Sequence, residues 1–344
     1  MGPAADTGHR LNAFRLTEKI STYIPELADR HRTETVSRNL QTLLQEPSLS
    51  DPAPVTSRTI HNVSAGAPVH PRFARYFEAL ASGWTRDTAA RLTEAPGVSA
   101  DNTLQTDLSA VTTTLVSGQL LRTVLHVLEE HRNAGRLAGT DAEARFAHFH
   151  HWLTSADGAE HMAKAHGTAY AVARNRARRG ARNFMEIIER AVADLPRVAQ
   201  EFSAVSMSSR LQSIATGAGD NHADGRSVAI LTFDDGAKVV FKPRNVQSDT
   251  ALNSLIDWSN RTGLTTLHTL SALPCGNYGY VEFQESFGWP QAQIENQVRY
   301  FDQLGQLTAV LFLLRASDIH FENIISSANG PVVIDTETLL TPIP

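Results

Sequence analysis

Two apolar runs rich in β-branched residues, Ser227–Val228–Ala229–Ile230–Leu231–Thr232–Phe233 and Lys238–Val239–Val240–Phe241–Lys242–Pro243–Arg244, flank Asp234–Asp235–Gly236. They are the strongest strand signal in the chain and read as a hairpin closed by a tight turn. The hairpin excludes an all-helical fold, and the chain from about residue 12 to 205 reads almost entirely as helix. Leu16, Ile20, Tyr23 and Ile24 begin an apolar stripe at helical spacing, and Leu40, Leu43 and Leu44 suggest another. The proline-rich stretch 46–71 reads as a connecting loop. Phe73, Tyr76, Phe77 and Leu80 resume the helical period. After punctuation at Gly97–Asp101, a buried helix is expected over Leu104–Glu130, with Leu115, Leu120, Leu121, Val124, Leu125 and Leu128 inside it, and Ala142–Leu195 is helical again. The fold class is therefore α+β, with a mainly helical region over 1–205 and a second region over 206–344.

Downstream of the hairpin, Leu252, Leu255, Ile256 and Trp258 mark a helix, Tyr278–Phe283 a strand, and Ile294 to Leu314 a long amphipathic helix. Ile324–Ile325 and Val332–Val333–Ile334 form a small hairpin around Asn329–Gly330, a favoured two-residue turn. Polar residues fall around that hairpin: Asp318–Ile319–His320–Phe321–Glu322–Asn323 before it and Asp335–Thr336–Glu337 after it. An Asp, an Asn five residues on and an Asp twelve beyond that match the spacing of a kinase-type phosphotransferase. In that chemistry Asp318 sits by the attacking hydroxyl, while Asn323 and Asp335 offer Mg²⁺ the hard oxygen donors it prefers. Hairpin, helix, strand, long helix, polar loop and small hairpin also succeed one another as in a two-lobed kinase, so topology and motif agree.

Lys242, at the end of the second strand, is placed to neutralise nucleotide phosphates. Gly219–Asp220–Asn221–His222–Ala223–Asp224–Gly225–Arg226 is either a turn or a loop whose backbone and side chains cover phosphates, and the spacing leaves both open. His320 contacts a developing charge or holds its loop. Glu337, two residues after Asp335 on one face of an extended segment, is a second carboxylate ligand or a surface residue.

Composition narrows the partners. The formal charge of −5, from 31 basic and 36 acidic residues, argues against bulk attraction to nucleic acid or an anionic membrane. The single Cys275 rules out an intrachain disulfide and a multi-cysteine zinc site, and fits a reducing cytosol. Met-Gly-Pro-Ala-Ala-Asp is not a secretory start, and the most apolar run, Ala309 to Leu314, is far below the roughly 20 residues that span a bilayer. A cytoplasmic protein without a membrane span is expected. His148, His150, His151, His161 and His166 show no metal-binding spacing, and Arg174, Arg176, Arg178, Arg179 and Arg182 spread around a helix as a solvated face.

The region from Gly219 to Leu340 resembles the dehydratase domain of type II lanthipeptide synthetases, the LanM family. Five ordered motifs carry the likeness: Gly219 to Arg226, Phe241–Lys242–Pro243–Arg244, Tyr278–Gly279–Tyr280, Asp318 to Asn323, and Asp335–Thr336–Glu337–Thr338–Leu339. The resemblance implies a lipid-kinase-like fold, ATP and Mg²⁺ as cofactors, and a ribosomal precursor peptide whose Ser and Thr are phosphorylated and then stripped of phosphate to give dehydroalanine and dehydrobutyrine. It implies that Lys242 contacts phosphates with Gly219, Gly225 and Arg226 beside it, that Asp318 serves phosphorylation, and that Asn323 and Asp335, with Glu337, bind Mg²⁺. Asp220, His222 and His320 carry over as active-site residues. Members of that family are far longer, with further dehydratase segments and a zinc cyclase. The expectation is therefore a shortened dehydratase that phosphorylates, with elimination in doubt and no cyclase activity. Alternatives are one component of a split enzyme completed by a second chain and a separate cyclase, a non-catalytic peptide- or nucleotide-binding scaffold, or a kinase-fold enzyme acting on a small molecule.

Overall fold

A computed structural model describes residues 71–217, 226–286 and 294–339. The expected helices upstream of residue 71, most of the 46–71 loop and Gly219–Gly225 lie outside them. In chain order the helices are α1 (Ala74–Thr93), α2 (Thr103–Asn133), α3 (Ala142–Thr154), α4 (Ala156–Ala165), α5 (Gly167–Glu201), α6 (Gln247–Arg261) and α7 (Ile294–Leu313). The strands are β1 (Leu211–Thr216), β2 (Ala229–Phe233), β3 (Lys238–Lys242), β4 (Ala272–Pro274), β5 (Gly279–Glu282), β6 (Ile324–Ser327) and β7 (Gly330–Val333). The fold is thus α+β, and none of these helices is long and apolar enough to cross a membrane.

The described residues form two compact units. One runs to Arg244 and takes back Cys275–Val281; the other holds Asn245–Pro274 and the residues from Glu282 on. In the first, Phe77, Val116, Leu120, Val124, Phe149 and Met162 are fully enclosed in a core walled by α1 to α5. Ala173, Ala177 and Ala181 of α5, one turn apart, have no exposed surface. A Cβ on Gly180 would collide with Leu115 Cδ1, so the small side chains let α5 lie close to α2. On α2 the buried stripe is Leu104, Leu108, Val116, Leu120, Val124 and Val127, whereas Leu125 is 41% exposed. The expected single helical run over Ala142–Leu195 is three helices. It breaks where Ser155 turns extended and caps α4 by accepting the Gly158 N–H at 3.2 Å, and again at His166.

In the same unit β1, β2, β3 and β5 lie side by side in that order. The expected hairpin is β2–β3, antiparallel with Ile230 opposite Val240 and Leu231 opposite Val239, and its turn uses Gly236 at φ 85°. β1 was not anticipated. It pairs antiparallel with β2 through an irregularity between Leu211 and Ser213. It is anchored to α2, where Asp107 accepts from the Ser213 hydroxyl at 2.8 Å and the Ile214 N–H at 2.9 Å.

In the second unit, Leu252 and Ile256 of α6 and Leu307, Val310, Leu311 and Leu314 of the long helix share one apolar core, with Ile319, Val333 and Leu339 packed against it. α7 ends in a Schellman arrangement: Ala316 N–H reaches the Leu311 carbonyl at 2.9 Å and Arg315 N–H the Phe312 carbonyl at 3.1 Å. Arg315 takes the left-handed position there at φ 51°. The small hairpin is β6–β7, but its register pairs Ser327 with Gly330, so the turn is Ala328–Asn329 and not Asn329–Gly330. Gly330 opens β7 at φ 125°, where a Cβ would collide with Gln303 Oε1 of α7. Close helix packing places the glycine inside the strand.

Candidate functional site

The six residues Asp318 to Asn323 come directly after the Schellman end of α7, and three sets of bonds close them into a fixed loop. Asn323 Nδ2 donates to the Asp318 carbonyl at 2.8 Å. Asp318 is itself left-handed, at φ 57°, a conformation that Asp tolerates better than most residues. One ladder position beyond the Ile324–Val333 pair, Ile334 N–H donates to the Asn323 carbonyl at 3.0 Å. The hairpin thereby sets Asn323 opposite Ile334, with Asp335 the next residue along the chain. The third set ties the outside: Ser317 N–H donates to the Thr338 carbonyl at 3.4 Å and the Thr338 hydroxyl donates back to the Ser317 carbonyl.

Within this frame the side chains are individually oriented. Asp335 Oδ1 accepts the Glu337 N–H at 3.2 Å, a local turn that points the carboxylate. Glu337 itself is exposed. His320 caps the short 3₁₀ turn Phe321–Asn323 by accepting the Glu322 N–H on Nδ1 at 3.3 Å, so the neutral ring carries its proton on Nε2 and offers a donor. Thr336 between the acids is 2% exposed and shares a 2.9 Å hydrogen bond with Ser248 at the start of α6.

The donor set suits a small divalent cation. The Asn323 amide oxygen, its Nδ2 being spent on Asp318, and the Asp335 carboxylate are the hard oxygen groups here that could hold Mg²⁺, with no cluster of three or more His, Cys, Asp or Glu among the described residues. Ser317, Thr338, Thr336 and Ser248 were not singled out from sequence. Their signal is weak, since isolated hydroxyl residues carry no spacing. The Asp335–Thr336–Glu337–Thr338 run is its one trace.

The other expected residues lie in the first unit or outside the described residues. Lys242 closes β3 and is 4% exposed, on the opposite face of the strand from Phe241. Arg226 holds Glu186 of α5 through both carboxylate oxygens at 3.1–3.4 Å, and Arg190 pairs with the same carboxylate. Gly219, Asp220, His222 and Gly225 are outside the described residues. Tyr278 and Tyr280, on and beside β5, both donate to Asp194 of α5, at 2.7 and 3.0 Å. Arg190 lies 4.2 Å over the Tyr278 ring. Burial first, then the Asp194 carboxylate, pushes the Tyr278 hydroxyl up to about 12, and the same causes raise Tyr280 further. Cys275 is half-buried beside Arg197, with Nη1 to Sγ at 3.2 Å, and burial raises its thiol. The histidines of the helical unit form no metal-binding group among the described residues. The arginine run divides between neighbours, Arg176 reaching Gln119 at 3.0 Å and Arg178 the Trp84 carbonyl at 3.3 Å.

Residues 170–344 match a family described as Domain of unknown function (DUF4135). A curated relative, the lacticin 481/lactococcin biosynthesis protein LcnDR2 of Lactococcus lactis subsp. lactis, is 28% identical over 130 residues. That match takes in 35% of this chain and 14% of the relative, so the chain spans a small part of that protein's length.

Proposed function

Because this chain belongs to the DUF4135 family, a domain found in LanM-type lanthipeptide synthetases, we propose that it serves lanthipeptide biosynthesis as an ATP-dependent Ser/Thr phosphotransferase acting on a precursor peptide. The observation that supports the proposal is the closed loop, in which the Asn323 amide locks onto the Asp318 carbonyl and the Ile334 N–H bonds the Asn323 carbonyl one residue before Asp335. Phosphoryl transfer asks mainly for positioning and charge stabilisation, and a loop tied at three places supplies the first.

In this reading the peptide hydroxyl lies against the Asp318 carboxylate. Its oxygen bonds to the terminal phosphorus of ATP, the bond to the bridging oxygen breaks, ADP leaves, and the hydroxyl proton passes to Asp318. His320 Nε2–H is the donor nearest in sequence for the charge that develops. Mg²⁺, when bound, neutralises phosphate charge, and Asn323 and Asp335 are the residues to hold it. Phosphorylation is the first step of dehydration, and no residue here is assigned to the phosphate elimination that would complete it. The roles of Lys242, Arg226, Asp220, His222, Gly219 and Gly225, the third carboxylate at Glu337, and a lipid-kinase-like two-lobed architecture rest on the resemblance and the sequence. The relative's name, a biosynthesis protein for lacticin 481, is what supports the substrate class.

The test is mass spectrometry of a lanthipeptide precursor after incubation with the protein and Mg-ATP. The peptide is expected to gain phosphate, and Asp318→Ala and Asp335→Ala to abolish the gain. ATP bound tightly with no phosphate on any precursor residue would overturn the proposal.

A further inference from the structure

The left-handed turn at the end of α7 is occupied by an arginine. Arg315 has φ 51° at the position that closes the Schellman motif, where glycine, or less often asparagine, avoids the steric cost borne by a side chain with a Cβ. Its side chain is exposed and, among the described residues, forms no hydrogen bond or ion pair. Packing therefore gives no reason for a long cationic side chain here. The favourable field at a helix C-terminus gives only a weak one, because a cation in the last turn complements the carbonyl end with ordinary right-handed backbone, and that last turn carries no basic residue.

The position is set apart by its neighbours on the C-terminal side. Asp318, three residues on, is also left-handed, and the two strained residues bracket Ala316–Ser317, with Ser317 tied to Thr338. Strained non-glycine backbone persists where surrounding structure over-determines it and gathers at sites that bind ligands. A guanidinium carried at the root of such a loop is suited to oxyanions, which its planar fork holds through two hydrogen bonds.

We propose that Arg315 is a phosphate-binding residue of this site, a proposal that rests on the phosphotransferase reading. The phosphoryl oxygens come either from the nucleotide or from the phosphorylated Ser or Thr of the peptide, and Arg315 holds one of the two.

The experiment uses the full chain with Arg315→Gly, Arg315→Asn and Arg315→Lys, titrated calorimetrically with Mg-ATP and, separately, with a phosphoserine form of the precursor peptide, alongside thermal unfolding. Arg315→Gly is expected to melt at the wild-type temperature or about 2–4 °C above it, since glycine relieves the left-handed backbone. It is also expected to bind one probe about 10- to 100-fold more weakly, as befits a lost charge-assisted bidentate contact. Weakened Mg-ATP binding assigns the nucleotide, and weakened phosphopeptide binding assigns the product. Arg315→Asn should match Arg315→Gly in binding and Arg315→Lys should fall between them and wild type. Unchanged binding of both probes by Arg315→Gly, or binding of neither probe by the wild type, overturns the proposal. Wild-type binding without phosphate transfer overturns the phosphotransferase reading alone, since Arg315 is judged in the binding arms.

Discussion

Replacing Asn323 separates the two duties assigned to it. Asn323→Ala removes the 2.8 Å bond from Nδ2 to the Asp318 carbonyl. Asp318 is exposed, so water re-solvates its carbonyl and the net loss is that of an ordinary hydrogen bond, about 0.5–1.5 kcal/mol. That is about 1–6 °C of melting temperature for a domain of 150–250 residues, and less for a larger chain. If the amide oxygen also binds Mg²⁺, the same change costs apparent Mg²⁺ affinity at least as much as losing a supporting outer contact does, roughly 10- to 100-fold. Asn323→Asp loses the same donor but keeps an oxygen at the metal position and adds a charge. The two variants should therefore melt alike, while Asn323→Asp keeps clearly more Mg²⁺ dependence of peptide phosphorylation than Asn323→Ala. The assay is phosphate incorporation across a Mg²⁺ titration, with thermal unfolding on the same samples. Equal activity losses in the two variants would refute the metal role and leave Asn323 as a loop staple.

Two further predictions concern the first unit. Asp194→Ala strips the acceptor from the Tyr278 and Tyr280 hydroxyls and leaves the fully enclosed Tyr280 hydroxyl unpaired, which should cost about 1–3 kcal/mol in urea unfolding; adding Tyr280→Phe should recover about 1 kcal/mol of it, and strictly additive losses would contradict the network. Asp101 is held below its ordinary 3.8, at about 2, first by the Gln212 side chain and then by the Thr103 N–H. A carboxylate lowered on folding contributes stability above its unfolded value and loses it as pH falls through the folded one, so the wild type should lose more melting temperature between pH 3.8 and about 2 than Asp101→Asn does.

The elements that sequence predicts well are those whose apolar period is strong and local. β2, β3 and β5 emerge from β-branched and aromatic runs, and α2, α6 and α7 from apolar repeats. β1 escaped because Leu211–Gln212–Ser213–Ile214 does not alternate cleanly: the irregularity between Leu211 and Ser213 shifts the period, and the distant Asp107 also anchors the strand. The Ala328–Asn329 turn differs from the expected Asn329–Gly330 because a tertiary contact overrode a turn preference, Gly330 being needed where Gln303 leaves no room for a Cβ. The spacing of Asp318, Asn323 and Asp335 is legible as a motif in the sequence, and the structure adds the bond by which Asn323 holds the Asp318 carbonyl. The left-handed Arg315 was not legible, because no glycine announces it. Nor was the Thr338–Ser317 tie, because a hydroxyl-to-backbone contact twenty-one residues apart leaves no pattern.

That tie bears on how the site comes into being. Ser317 and Thr338 close a segment that holds Asp318, Asn323 and Asp335 together with the hairpin between them, so the backbone bonds that shape the motif span few residues, while the Thr336–Ser248 bond reaches back to α6. Contacts of short range are reached early in folding and at small entropic cost. The motif is expected to assemble as one local event once α7 offers its end as a platform, and amide exchange should show 317–338 protected and released as a single block.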